Sequence, residues 1–338
     1  MSPLRWGLIG ASDIAATQMI PAMHARGDNV VAVQSASIAW ASTFAARENI
    51  SVAVTDLTHL LERDDIDAVY ISSTNEKHHA QVLAAARHRK HILCEKPLAL
   101  SVAHGQEMLA AANSSGIIFA VNHHLPGSAT HRAMRALVAE GAIGEPLAVR
   151  VAHAVMLPER LRGWRLTNEP GSGVILDITC HDASAVQAIL GRRSTHASGV
   201  AVSQGGWANE SSAPDAVMAT IRYEGNVLAQ VHDAYTVEHA PTSLEVIGTE
   251  GALFGSGIMT SNPSGTVTLW SRGGDRDIDI PDRPDLYRFV LDAFADAIAG
   301  QGEPSVTAQA GFAAMATALA VQQSAQTGRT LAIEQLID

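Results

Sequence analysis

Within the first 123 residues, six short apolar runs alternate with helical stretches, and few folds accommodate that order. The runs are RWGLI (5–9), VVAVQ (30–34), SVAV (51–54), DAVYIS (67–72), HILC (91–94) and IIFAV (117–121). Helices are predicted to begin near Asp13, Trp40, Asp56, Glu76 and Ser101. Several runs are apolar at nearly every position, so both faces of those strands need cover. Strands alternating with helices specify a parallel sheet with helices on both sides. Six strands in this order match a doubly wound α/β fold of the dinucleotide-binding, Rossmann type.

After Asn122 the pattern changes. A helix is predicted over 128–140, then a long strand at 147–155 and a glycine-flanked helix near 173–190. Strands follow at 215–223, 226–235 and 243–249, with shorter ones near 251–254 and 265–271. The EGN turn between the first two of these indicates an antiparallel hairpin. Two closing helices are expected over 283–300 and 305–327, and polar stretches at 203–213 and 255–265 are expected to be loops. The reading is therefore two domains: residues 1–123 for the dinucleotide, and 124–338 as an α+β substrate or oligomerisation domain with an open, mostly antiparallel sheet.

Composition narrows the partners. Of 338 residues, 47% are hydrophobic and 17% charged, enough apolar material for packed cores. The formal net charge of -11 argues against nucleic acid and anionic membranes. The opening MSPLRWGLIGAS enters a glycine turn after one short apolar run, so no signal peptide is expected, nor is a membrane span. Cys94 and Cys180 each sit in an apolar run and are expected to be reduced thiols, which suits the cytoplasm.

The first strand runs into Gly10, Ala11, Ser12, Asp13, Ile14 and Ala15, a variant of the G-x-G-x-x-G/A fingerprint. Gly10 makes the tight turn, and N–H groups at the helix start can hold a pyrophosphate. Alone this pattern is equally a capped strand–helix turn; its place after the first strand makes it a nucleotide site. NAD sites carry an acid about twenty residues further on, where this chain has Ser35. A serine would not repel a 2′-phosphate, so NADP(H) is expected, with NAD(H) possible. Trp40 can pack over an adenine or serve its own helix, and the first arginine beyond Ser35 is Arg47.

At the end of the fifth strand stands CEKPLALS. Glu95 and Lys96 lie on the edge where doubly wound sheets bind ligands, and Lys96 can donate to a reacting oxygen. A cis Lys96–Pro97 bond would aim it; the bland alternative is a surface ion pair. In GSGVILDITCHDAS (171–184), Asp177 and His181 interrupt an apolar stretch four residues apart, on one helix face. A buried carboxylate and imidazole need a use or a partner. They are a candidate acid–base pair, or a helix pair that satisfies itself.

Together, these three segments resemble, in motif and order, the glucose–fructose oxidoreductase and inositol dehydrogenase (Gfo/Idh/MocA) family, across nearly the whole chain. That resemblance implies a nicotinamide-dependent sugar or polyol oxidoreductase with Lys96, Asp177 and His181 as its catalytic group. It further implies coenzyme contacts from Ser12, Ser35, Ser73, Thr74, Asn75, His78, Glu95, Lys96, Asn122, Trp164 and Arg165. His124, His131, Arg132 and Tyr287 are expected polar contacts for a sugar substrate. A homo-oligomer formed through the open sheet is also expected. Other readings are a polyol dehydrogenase, a coenzyme-binding sensor without catalysis, and a metal enzyme. No metal is expected, because adjacent histidines such as His78-His79 and His123-His124 diverge and do not chelate.

Overall fold

The structure, a computed structural model, describes residues 3–206, 213–260, 264–280 and 285–337. It divides into two compact units. The first begins with β1 (Arg5–Ile9), a π-helical turn at Ala15–Met19 and α1 (Ile20–Arg26). There follow β2 (Asn29–Gln34), α2 (Ile38–Glu48), β3 (Val52–Val54), α3 (Leu57–Leu61) and β4 (Ala68–Ile71). The series closes with α4 (His78–Arg87), β5 (His91–Cys94), α5 (Val102–Ser115) and β6 (Phe119–Val121). All pairings are parallel, in the order β3-β2-β1-β4-β5-β6. This is the doubly wound arrangement expected, with β1 and β4 buried along almost their whole length.

The second unit contains α6 (Ala129–Ala139), β7 (Pro146–Ala154), a π-helical turn at Ile175–Thr179 and α7 (Cys180–Leu190). It continues with β8 (Ser194–Val202), β9 (Ala216–Tyr223), β10 (Val227–Ala234), β11 (Ser243–Gly248), β12 (Gly251–Ser256), β13 (Thr266–Ser271) and β14 (Gly274–Asp277). The chain then forms α8 (Leu286–Ile298), α9 (Ala308–Thr327), β15 (Leu331–Ala332) and α10 (Glu334–Ile337). The sheet order is β14-β13-β12-β11-β7-β10-β9-β8-β15; only β7 and β10 pair in parallel. β9 and β10 form the expected hairpin, with Gly225 at φ 74° in its turn. Strand alternation gives this sheet two faces. Val217, Ala219, Ile221 and Tyr223 of β9 are buried, whereas Met218, Thr220 and Arg222 are exposed.

Two expectations need correction. The first closing helix does not join the second unit: residues 285–312 pack with the first. The reason is the apolar face of α8, where Leu286, Tyr287, Val290, Leu291 and Phe294 enter the core of Trp6, Met19 and Met23. Phe294 stacks on Trp6 at 5.5 Å. Strand β12 runs to Ser256, into a stretch expected as loop, and β8 lies where no strand was expected. Of the expected loops, residues 207–212 and 261–263 lie outside the described residues, as does the start of the helix expected at 283. Among the described residues no helix is long and apolar enough to cross a membrane.

Candidate functional site

In the first unit, the expected coenzyme residues collect at the C-terminal edge of the parallel sheet. Gly10 has φ +110°, and a Cβ there would lie 2.7 Å from the Ser73 nitrogen, so only glycine fits. Its N–H donates to the Gln34 carbonyl at 2.9 Å. Ser12 Oγ accepts from the Ala15 N–H at 3.2 Å and donates to Ser72 Oγ at 2.7 Å. Ser12 therefore occupies the middle position of the fingerprint while tying the loop to the end of β4. The helix opens on Ala11–Ile14, which are partly or fully exposed. A helix start beneath a close-packed glycine turn fits a dinucleotide's pyrophosphate.

Ser35 follows β2 and is half-buried, its N–H donating to Val54 O at 3.1 Å. Trp40 Nε1 donates to Ala11 O at 3.0 Å, which lays a half-exposed indole beside the phosphate loop. Arg47 pairs with Glu48 at 2.6 Å and lies over Phe44 near the end of α2.

Glu95 and Lys96 follow β5, and the Lys96–Pro97 bond is cis. One oxygen of Glu95 accepts from Tyr70 OH and from Asn122 Nδ2, both at 2.6 Å. Burial, and then the charge on Glu95, raise the Tyr70 phenol well above its usual range, so it remains a donor. Ser73 Oγ donates to Gln81 at 2.6 Å, and Asn75 opens a short turn. His78 is fully buried, with Nδ1 3.0 Å from Pro97 O and Nε2 3.2 Å from Ser73 O. It braces the Ser73 and Pro97 loops from beneath and has no surface to offer a coenzyme. That corrects its expected role. His124 tilts over Tyr287 of α8 at 5.5 Å, so these two expected substrate contacts adjoin each other.

In the second unit, Asp177 lies in the π turn and His181 in the first turn of α7; both are buried. Single π turns recur at functional sites. Oδ2 of Asp177 accepts from Arg165 Nε and from Tyr235 OH, each at 2.8 Å. The Arg165 guanidinium also lies 4.7 Å above the Trp164 ring, whose side chain is partly exposed. Expected residues Trp164, Arg165 and Asp177 are thus one contiguous group. His131 is buried instead, with Nδ1 2.6 Å from Ser128 Oγ and Nε2 3.3 Å from Met259 Sδ. Burial lowers its pKa to about 3, so the ring is neutral. It secures the start of α6 and cannot meet a substrate, while its neighbour Arg132 is half-buried. Tyr70 and Tyr235 are the site residues missed from sequence, because each is a lone tyrosine in or after a strand, outside any motif.

The sequence profile of an oxidoreductase family with an NAD-binding Rossmann fold, Gfo/Idh/MocA, matches residues 4–123, and that family's C-terminal domain matches 131–254. The chain belongs to the Gfo/Idh/MocA oxidoreductase family. It is 46% identical over 331 residues to 1,5-anhydro-D-fructose reductase of Ensifer adhaerens, covering 98% of each chain. It is 33% identical to dTDP-3,4-didehydro-2,6-dideoxy-alpha-D-glucose 3-reductase of Streptomyces antibioticus, over 74% of each chain. Among solved structures, aldose-aldose oxidoreductase from Caulobacter crescentus complexed with glycerol shares the fold. Its TM-score is 0.87 at 21% identity, over 98% of this chain and 100% of that one. As a Gfo/Idh/MocA oxidoreductase, this chain holds a nicotinamide coenzyme in its first unit.

Proposed function

We propose that this chain is an NADPH-dependent sugar reductase that converts the 2-keto group of 1,5-anhydro-D-fructose to the alcohol of 1,5-anhydro-D-mannitol. The observation that carries this reading is the 46% identity, over 98% of each chain, to a relative named for that substrate.

The loop Gly10–Ile14 binds the pyrophosphate through its N–H groups. Ser35 leaves the 2′ position without a carboxylate, which admits a 2′-phosphate, and Trp40 covers the adenine. In the sequence no arginine follows Ser35 until Arg47, so NADH is accepted more weakly rather than refused. When bound, the reduced nicotinamide supplies a hydride to the carbonyl carbon. The chain's own task is the oxygen, where negative charge builds as the carbonyl is reduced. Lys96 donates a hydrogen bond to it, and the proton that completes the alcohol comes from His181 or Lys96. Asp177 orients the imidazole of His181, and is itself fixed by Arg165 and Tyr235. Glu95 and Asn122 hold the backbone that precedes Lys96. His124, Arg132 and Tyr287 contact sugar hydroxyls.

The exposed sheet face, with Val200 beside Met218 and with Leu228 and Trp270 further across, is the surface through which a homo-oligomer would form. Its test is mass by light scattering before and after Met218→Lys. The cytoplasm, where Cys94 and Cys180 stay reduced, is the proposed compartment. Initial rates with NADPH and NADH against 1,5-anhydro-D-fructose and a panel of polyols and ketoses test the reaction. Faster oxidation of a polyol than reduction of any ketose would replace this reading with a polyol dehydrogenase.

A further inference from the structure

Behind Asp177 and His181, the same helical segment meets its sheet through ionisable groups that the proposed reaction does not use. Asp182, next to His181, and Asp233 of β10 are both fully buried. Asp233 stands directly across from His153 of β7. Nδ1 of His153 is 2.7 Å from Asp182 Oδ1, and Thr179 Oγ1 donates to Asp233 Oδ2 at 2.6 Å. That leaves one oxygen of each carboxyl, Oδ2 of Asp182 and Oδ1 of Asp233, buried without a donor. The two carboxyls are close enough that each acts on the other's ionisation. Facing them are His153, Thr179 and the buried hydroxyl of Tyr223, with His131 of α6 beyond His153.

Two carboxylates side by side in an apolar interior cannot both ionise. A proton on Asp233 Oδ1 supplies the donor that Asp182 Oδ2 lacks. His153 Nδ1–H then donates to Asp182 Oδ1, and the pair keeps one negative charge beside an imidazole. We propose that Asp182 and Asp233 share one proton, and that this protonated pair, with His153, positions the segment bearing Asp177 and His181. The second half of the proposal rests on reading those two residues as catalytic.

Burial raises the pKa of both carboxyls, so the folded chain keeps a proton that the unfolded chain releases near about pH 4. Stability from this source is complete below that pH and falls as pH rises toward the folded pair's own range. Asp233→Asn carries a neutral N–H donor in place of the shared proton; Asp233→Ala carries none.

Two arms test the proposal on the full chain. Without any substrate, the infrared carbonyl band of a protonated carboxylic acid is followed at about pH 7, and the thermal midpoint is followed from about pH 5 to 8. The wild type is expected to show the band and, above about pH 6.5, where His131 is neutral folded or unfolded, a midpoint that falls as pH rises. Asp233→Asn should lose the band and fall less steeply. Parallel pH curves and an unchanged band would overturn the shared proton. In the second arm, kcat should drop at least about 10-fold in Asp233→Ala and be largely restored in Asp233→Asn, with coenzyme KM little changed in either. Equal kcat in all three would overturn the positioning role. An intact first arm with no reduction of any sugar by the wild type would instead reject the functional reading.

Discussion

Arg165 donates from Nε to Oδ2 of Asp177 at 2.8 Å while its guanidinium lies over Trp164, so one side chain fixes the proposed site's buried carboxylate and abuts a partly exposed aromatic. Tyr235 donates to the same oxygen. Arg165→Met should leave that carboxylate short of its cation and cost about 3 kcal/mol of stability. Tyr235→Phe removes a single hydrogen bond to a charged group and should cost about 1.5 kcal/mol. Denaturant midpoints of the two variants, compared with wild type, check that ranking. A Tyr235→Phe protein less stable than Arg165→Met would contradict it.

His181→Ala and Lys96→Met should each lower kcat by about 10²- to 10⁴-fold, the range for losing a positioned proton donor. Coenzyme affinity, read from fluorescence titration, should change far less. A variant with full turnover would remove its residue from the mechanism.

Ser35→Asp should cut kcat/KM for NADPH by at least about 10-fold, through repulsion between the new carboxylate and the 2′-phosphate. The value for NADH should hold or rise. Steady-state kinetics with both coenzymes decide this, and an equal loss for both would show that Ser35 lies away from the ribose.

Acid should unfold the chain in part through His131. Its folded pKa is lowered to about 3 by burial, whereas an unfolded histidine titrates near about 6.5. The unfolded state therefore binds the proton first, and stability present above that range is lost as pH falls toward 3. His131→Gln stays neutral and should flatten the decline of the thermal midpoint below about pH 6. Identical acid limbs would assign the sensitivity to other groups.

Much of the first unit was legible because parallel strands buried on both faces leave unbroken apolar runs such as AVYI and HILC. The second unit was harder. STHASGVAV of β8 alternates weakly and has one face on solvent, so its polar and glycine residues resemble a connection. No sequence signal separates a π turn from an α turn, so the widened turn around Asp177 was invisible, although the Asp-x-x-x-His pattern was not. The placement of α8 depends on which core receives its apolar face, and periodicity cannot show that. His78 stands in a motif segment, yet its two carbonyl partners make it a brace. Motif position alone does not give each side chain's role.

The most direct measurement of the central claim is reduction of 1,5-anhydro-D-fructose with NADPH deuterated at the transferring position, followed by NMR of the product. The account predicts 1,5-anhydro-D-mannitol with deuterium at C2. A product without deuterium there, or no turnover of this substrate beside rapid turnover of another sugar, would contradict it.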